Sequence, residues 1–306
     1  MIYKFDTKEE LFDFIKKSPD NIKKLEKDKQ ATIKLADAVL FSPTPEQITK
    51  AGGVKEAGLV DKAETTLTEG QIMVRAIINT TNVLDSHDDV HIPGLWKKSL
   101  SENKYILHLQ EHERRHDKVI SDNLKAYTKN VSWASLGYSF EGNTQALVFD
   151  SIVTQERNPF MYDQYSKGYI KQHSVGMRYR KMYFCVNIGD EWATNYKDNW
   201  DKYIDQVVNR KQAEEEGYFW AVTEAEVIEG SSVVFGSNSF TPTVSVTQSK
   251  QDNNSGAADE GTTDEDTNEP PQGTQTKTEQ TEQSEQQANA PDYSEIAKAI
   301  IKNLNN

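Results

Sequence analysis

A serine, a histidine and a carboxylate lie in three separate stretches of the chain. Ser174 is in Gly168-Tyr-Ile-Lys-Gln-His-Ser-Val-Gly-Met, His112 in Tyr105-Ile-Leu-His-Leu-Gln-Glu-His, and Glu229 in Val227-Ile-Glu-Gly-Ser-Ser-Val-Val-Phe. A serine hydroxyl is a poor nucleophile until an imidazole within hydrogen-bond reach takes its proton and a third group orients that imidazole. His173 adjoins Ser174, but neighbours on a strand point to opposite faces, so the base comes from elsewhere and His112 is taken as that base. Gly176 allows close approach of the backbone beside the serine. Phe219, Ala221, Thr223, Ala225, Val227 and Glu229 alternate along one strand face, so Glu229 falls on a largely apolar side and needs a partner there. His173 and Asp117 are the competing candidates for the orienting group.

Metal chemistry is the rival reading of the same histidines. His108-Leu-Gln-Glu111-His112 fits the H-x-x-E-H pattern of inverted zinc peptidases, and on a helix His108, His112 and His116 would share one face. Tyr105, Leu107 and Leu109 alternate instead with Ile106, His108 and Gln110, a period of two that favours a strand. A strand would set His108 and His112 roughly 13 Å apart, too far for one metal. Asp85, His87, Asp88, Asp89 and His91 form a second group of ligand types. Asp and Ser dominate turns through local hydrogen bonds, so a solvated turn is expected there and no metal is assigned.

The elements that must position these residues can be read from capping and periodicity. Thr7-Lys-Glu-Glu10 is a capping-box pattern ahead of Leu11, Phe12, Phe14 and Ile15, and Thr44-Pro-Glu-Gln47 opens a further helix stopped at Gly52-Gly53. The mixed stretch from Ala31 to Phe41 has no clear period. Ile72-Met-Val-Arg-Ala-Ile-Ile-Asn reads as a buried strand, Ala146 to Thr154 as another, and Trp96 with Leu100 as a core pair. Ser132 to Phe140 is expected to be a short aromatic helix or turn. Asn158-Pro159 starts a helix that Lys167-Gly168 ends, six residues before Ser174. Trp192, Tyr196, Trp200, Tyr203, Ile204 and Val207 predict one helix from about 191 to 214, with Gly217 after it.

Composition narrows the function class. The formal net charge is −13, and eleven acidic residues against two lysines between 244 and 292 carry most of it, so the remainder is only mildly acidic. No basic footprint for nucleic acid results, and no apolar run reaches the roughly 18 residues of a membrane helix. One cysteine, Cys185, cannot form an internal disulfide, and the charged N-terminus lacks a signal-peptide core, so a cytoplasmic setting is expected. Residues 246 to 290 are polar and acidic enough to be disordered. After them Asp292-Tyr-Ser-Glu295 caps a short helix with Ile296, Ala297, Ile300 and Leu304 on one side, which at that length needs a partner.

Four blocks in order, between about 70 and 242, resemble the phage prohead (capsid maturation) serine protease family, related in fold to herpesvirus assemblin. Asp85-Ser-His-Asp-Asp-Val-His-Ile-Pro-Gly-Leu-Trp is similar to the family's Asp-rich turn into a Pro-Gly-aromatic helix start, and Leu109-Gln-Glu-His112 to its Leu-x-x-His block. Gly168 through Ser174-Val-Gly176 is similar to its Ser-x-Gly block, and Glu229-Gly-Ser-Ser-Val to its Glu-x-Ser-x-Val block, which ends in Asn. Departures are Met177 in place of an aromatic, Gly-Ser-Asn-Ser in place of a Pro-Ala-Asn ending, and a spacing after His112 that His116 would fit better. The resemblance implies an α+β fold with a β-barrel flanked by helices. It also implies a triad of Ser174, His112 and Glu229, with no cofactor and no metal. Implied partners are the phage major capsid protein, scaffold and the chain itself, met inside assembling proheads in the host cytoplasm, with self-association. The expected domains are a helical extension at 1–69, the protease-like domain at 70–243, the acidic linker at 244–291 and the terminal helix at 292–306. A non-catalytic scaffold or assembly protein with a protease-like core is the alternative, and a zinc peptidase the third reading.

Overall fold

The computed structural model describes residues 5, 7–18, 20–31, 66–103 and 105–249. The chain begins with two helices, α1 (Lys8–Lys17) and α2 (Asp20–Ala31). Thr7 caps α1 by accepting from the Glu10 N–H at 3.2 Å, with acids in the first turn and lysines in the last, as the helix dipole favours. Leu11, Ile15, Ile22 and Leu25 are buried and join the main core, so this hairpin is packed onto the domain. The mixed stretch from 32 to 41 and the helix expected after Thr44 lie outside the described residues.

Two sheets carry the rest. In the first, β1 (Gln71–Thr80) is flanked by β6 (Asn143–Thr154) and β9 (Thr243–Gln248), and β6 pairs in turn with β5 (Leu124–Ser132), all antiparallel. Burial of every β1 residue from Ile72 to Thr80 explains its unbroken apolar run, and its one cation, Arg75, forks onto Asp150 at 2.6 and 2.7 Å. β9 extends the folded domain past the boundary expected at 243, because Thr243–Gln248 completes the β1 ladder.

The second sheet is built on β8 (Tyr218–Val233). Its first half pairs in parallel with β2 (Asp89–His91) and its second half with β3 (Leu107–Gln110), to which β4 (Val119–Ser121) adds antiparallel. β7 (Gln172–Val186) runs antiparallel along β8 with Ser174 opposite Ser231 and Gly176 opposite Glu229. The sheets pack face to face, and at Gly230 of β8 a Cβ would come within 2.5 Å of Phe149 and 2.9 Å of Ile78. Alternation then sends Glu229 and Ser231 to the opposite face of β8.

The expected α+β class is present, but the barrel is not: among the described residues both sheets are open, ordered β5-β6-β1-β9 and β2-β8-β3-β4 with β7 beside β8. The reason is that β8 spends one edge on two short strands in succession, and no ladder among the described residues joins its sheet to the other. The helix expected over 191 to 214 is also divided. A 3-10 turn leads into α5 (Thr194–Tyr203), a second follows, and α6 (Arg210–Glu216) ends at Gly217 with φ +75°. The break occurs because Val208 N–H donates to the Asn82 carbonyl at 2.8 Å while the Asn209 amide brackets both backbone groups of Leu84 at 2.8 and 2.9 Å. Ser132–Phe140 holds a 3-10 turn at Ala134–Leu136, and Trp96 is fully buried beside α3 (Lys97–Glu102).

The described residues lie within one unit, Met1–Asn253; the acidic linker beyond it and the terminal helix fall outside the described residues. Among the described residues no helix is long and apolar enough to cross a membrane.

Candidate active site

Ser174 is brought to the site by α4 (Pro159–Ser166), whose N-cap Asn158 accepts from Met161 N–H at 3.0 Å and which stops at Gly168 with φ +70°. The chain then enters β7 with Ser174 on the same sheet face as Gly176 and, across the ladder, Ser231 and Glu229. Ser174 is buried, and its Oγ makes no hydrogen bond among the described residues.

His112 reaches that face by a sharp turn out of β3. Glu111 and His112 both have left-handed backbones, φ +50° and +56°, an unusual state for side chains of this size. Three bonds hold it. Glu111 N–H donates to the Ser232 carbonyl at 2.9 Å, Glu111 Oε1 accepts from Val234 N–H at 2.9 Å, and His112 N–H donates to Ser231 Oγ at 3.1 Å. The turn swings the imidazole over β8, where Nδ1 meets Glu229 Oε1 at 2.6 Å, both side chains being 4% exposed. A carboxylate only accepts, so Nδ1 carries the proton and Nε2 presents its lone pair. That Nε2 is buried and has no hydrogen-bond partner among the described residues. Gly176 has a different purpose from the backbone approach expected of it: a Cβ there would lie 1.8 Å from Glu229 Oε1, so its absence leaves room for the carboxylate across β7.

The other candidates are placed elsewhere. His116 is exposed on the 3-10 turn His116–Lys118, and Asp117 there pairs with Arg115 at 3.0 Å through two bonds. His108 is on β3 opposite Gly230, on the face turned to the first sheet, with both ring nitrogens engaged, Nδ1 with Ser151 Oγ at 3.0 Å and Nε2 with Tyr165 OH at 3.1 Å. His108-x-x-Glu111-His112 is therefore a strand and turn that send the two histidines to opposite faces, and the zinc reading fails on geometry. His173 also faces inward, with Nε2 at 2.9 Å from Tyr165 OH and Nδ1 donating to the Thr241 carbonyl at 3.0 Å, so it neither serves Ser174 nor orients His112.

Burial holds both inner histidines neutral, pushing His108 down to about 3, with His173 beside it as the lesser cause, and His173 down to about 4 against the opposing Thr241 carbonyl. Between those values and the ordinary value of about 6.5, the unfolded chain binds protons that the folded one refuses. Stability is then full above about pH 6.5 and falls as pH drops toward 4, by about 1.4 kcal/mol per pH unit for each histidine. Urea unfolding at pH 7 and pH 5 measures this. Asp88, pushed up to about 6, offsets part of one histidine's share below pH 6, so a net loss at pH 5 remains the expected result and equal stability at the two pH values would refute it.

The Asp85 turn is not the solvated loop its composition suggests. Asp85 and Asp89 are 3% and 0% exposed, and Asp85 Oδ1 accepts from His87 N–H at 2.8 Å and Asp89 N–H at 3.1 Å, the local bonding that shapes such turns. One ligand atom from each of Asp85, His87 and Asp89 lies within 4.8 Å of the others. The cation beside them is the Lys29 ammonium, paired with Asp89 and donating to the His87 carbonyl at 3.0 Å. Asp89 also accepts from Tyr179 OH at 2.7 Å, and Tyr179 is 3.2 Å from His91 Nε2. Asp88, held by Tyr218 OH at 3.0 Å, is pushed up to about 6, chiefly by burial.

Sequence reasoning gave no role to Ser231, Tyr165 or Lys29. Ser231 was within reach of it, because two residues after Glu229 on a strand is the same face. Asn238, the Asn that ends the fourth block, ties the chain after β8 to β1 by donating to Asn79 Oδ1 at 2.6 Å and the Thr80 carbonyl at 3.0 Å. Beside the site runs a groove of about 480 Å³ lined by Glu111, Phe160, Tyr169, Gln172 and Val234 among others. Comparison of this chain with protein families, curated proteins and solved structures finds no match in any of the three.

Proposed function

We propose that this chain is a serine endopeptidase of the phage prohead maturation type, with an assemblin-like core. The observation that carries this is the buried His112–Glu229 pair at 2.6 Å, with an unpartnered Nε2, on the strand face that bears Ser174. In the mechanism His112 Nε2 takes the Ser174 proton as Oγ attacks the scissile carbonyl, and Glu229 steadies the imidazolium that forms. His112 then returns the proton to the leaving amine, and water activated by the same imidazole clears the acyl-enzyme. Catalytic hydrogen bonds often tighten only when substrate arrives, which fits the absence of a bond on Ser174 Oγ. The exposed Phe160, Tyr169 and Val234 of the adjoining groove offer a surface for apolar side chains of a bound peptide.

The substrates in this reading are scaffold, the major capsid protein and the chain itself, cut within proheads in the host cytoplasm, with self-association. A non-catalytic assembly protein with the same core is the reading to be excluded. A fluorophosphonate should form an adduct on Ser174 and none on Ser174→Ala, read by peptide mass. Co-expression with the neighbouring capsid protein should give cleavage with wild type alone. Equal product from both forms would overturn the assignment.

A further inference from the structure

The buried hydroxyl of Ser231 stands between the two groups that must be aligned. Ser231 is fully buried, lies opposite Ser174 on β7 and Leu109 on β3, and its side chain shares the face of Glu229. Its Oγ donates to Glu229 Oε2 at 2.7 Å and accepts from the His112 N–H at 3.1 Å. We infer that Ser231 is a positioning residue, tying the orienting acid to the backbone of the base. This inference rests on the serine-endopeptidase reading of the same site.

A hydroxyl has one proton to give, and here it goes to the carboxylate, leaving a lone pair for the amide. The first bond satisfies Oε2, so Oε1 alone faces Nδ1 and the carboxylate cannot rotate without losing a charge-assisted contact. The second bond fixes the left-handed His112 backbone, whose φ of +56° is an uncommon state for any residue other than glycine. Rotation of either group would move Nε2 away from the strand that carries Ser174. The hydroxyl therefore acts on the nucleophile through His112 without touching substrate.

The test uses the full chain as wild type, Ser231→Ala and Ser231→Thr, the last keeping a hydroxyl. The fluorophosphonate labelling rate at Ser174 reads the nucleophile without the peptide groove, and the downfield proton resonance of His112 Nδ1–H reads the contact to Glu229. Ser231→Ala should label about 10- to 100-fold more slowly, the loss expected for a hydrogen bond to a charged group, with its imidazole proton shifted or lost. Ser231→Thr should recover most of both. Labelling of Ser231→Ala at the wild-type rate, or slowed only by its unfolded fraction, would overturn the role. Wild type that never labels at Ser174 would instead refute the nucleophile, and an unchanged His112 resonance in Ser231→Ala would still count against Ser231.

Discussion

Gly176→Ala should reduce fluorophosphonate labelling of Ser174 by about 10³- to 10⁴-fold, the order of loss when a triad's orienting acid is removed. The added Cβ would fall 1.8 Å from Glu229 Oε1 and 2.7 Å from its Cδ, so the whole carboxylate must leave its place over β7. Gly176 and Glu229 are directly opposed in the ladder, and the Glu229 backbone is fixed by pairing on both edges, with β7 and with β3. Only the side chain can move, and moving it breaks the 2.6 Å bond to His112. Overpacking of this kind costs about 1–3 kcal/mol of stability, which leaves the fold to be assayed. Because one methyl group acts by displacing one carboxylate, Gly176→Ala and Glu229→Gln should be comparably slow, and the double variant no slower than either. Labelling of Gly176→Ala within about threefold of wild type, or losses that add in the double variant, would show that Glu229 does not orient His112.

The contrast between Gly176 and its neighbours shows what the sequence makes legible. Alternation along a strand sets a face, so the sequence alone separates Ser174 from His173, but the single apolar face expected for Phe219 through Glu229 does not hold. The register shifts of β8 against β7 turn Ala225 and Val227 into the main core, while Glu229 faces the other way and meets His112 and Ser231. The same alternation preferred a strand for Tyr105 to Gln110, and β3 occupies Leu107–Gln110. His112 is harder, because two successive left-handed residues reverse the face that simple alternation would give it. That reversal depends on bonds to Ser231 and Ser232 of β8 and to Val234 just past its end, more than a hundred residues away. The same limit explains the divided helix, since Asn82 and Leu84 claim the backbone and side chain that would have continued it. It also explains the buried turn at Asp85, because an acid's local bonding is visible in sequence while a lysine arriving from a distant helix is not. Sheet closure was the least legible feature, for it depends on which edges of β8 and β1 are occupied.

Lys29→Met should destabilise the protein by about 3 kcal/mol, although Lys29 lies far from Ser174 in sequence and in a hairpin that looked like a mere extension. Asp89 is fully buried, and its pairing with the Lys29 ammonium supplies a full positive charge where Tyr179 OH supplies only a dipole. Burial and the neighbouring Asp89 hold the Tyr179 phenol well above its ordinary range, so it remains a donor and cannot be the counter-charge. Methionine preserves the stem, which packs near the Trp220 ring at 5.5 Å from the ammonium, so the substitution isolates the charge. The reverse change, Asp89→Asn, should cost less, because the Lys29 side chain is 20% exposed and its ammonium can turn to water while the carboxylate cannot. Replacing both should recover much of the loss, since neither the Asp89 carboxylate nor the Lys29 ammonium is then left without the other. Urea unfolding of the four forms measures the cycle, and a Lys29→Met variant within about 0.5 kcal/mol of wild type would remove the pair from the account. If the cycle closes as expected, α2 forms the outer wall of the chain of bonds from Asp89 through Tyr179 and His91 to Asn79. The core behind Ser174 then needs the N-terminal hairpin in place, and its removal should loosen β2 before it affects the His112 turn.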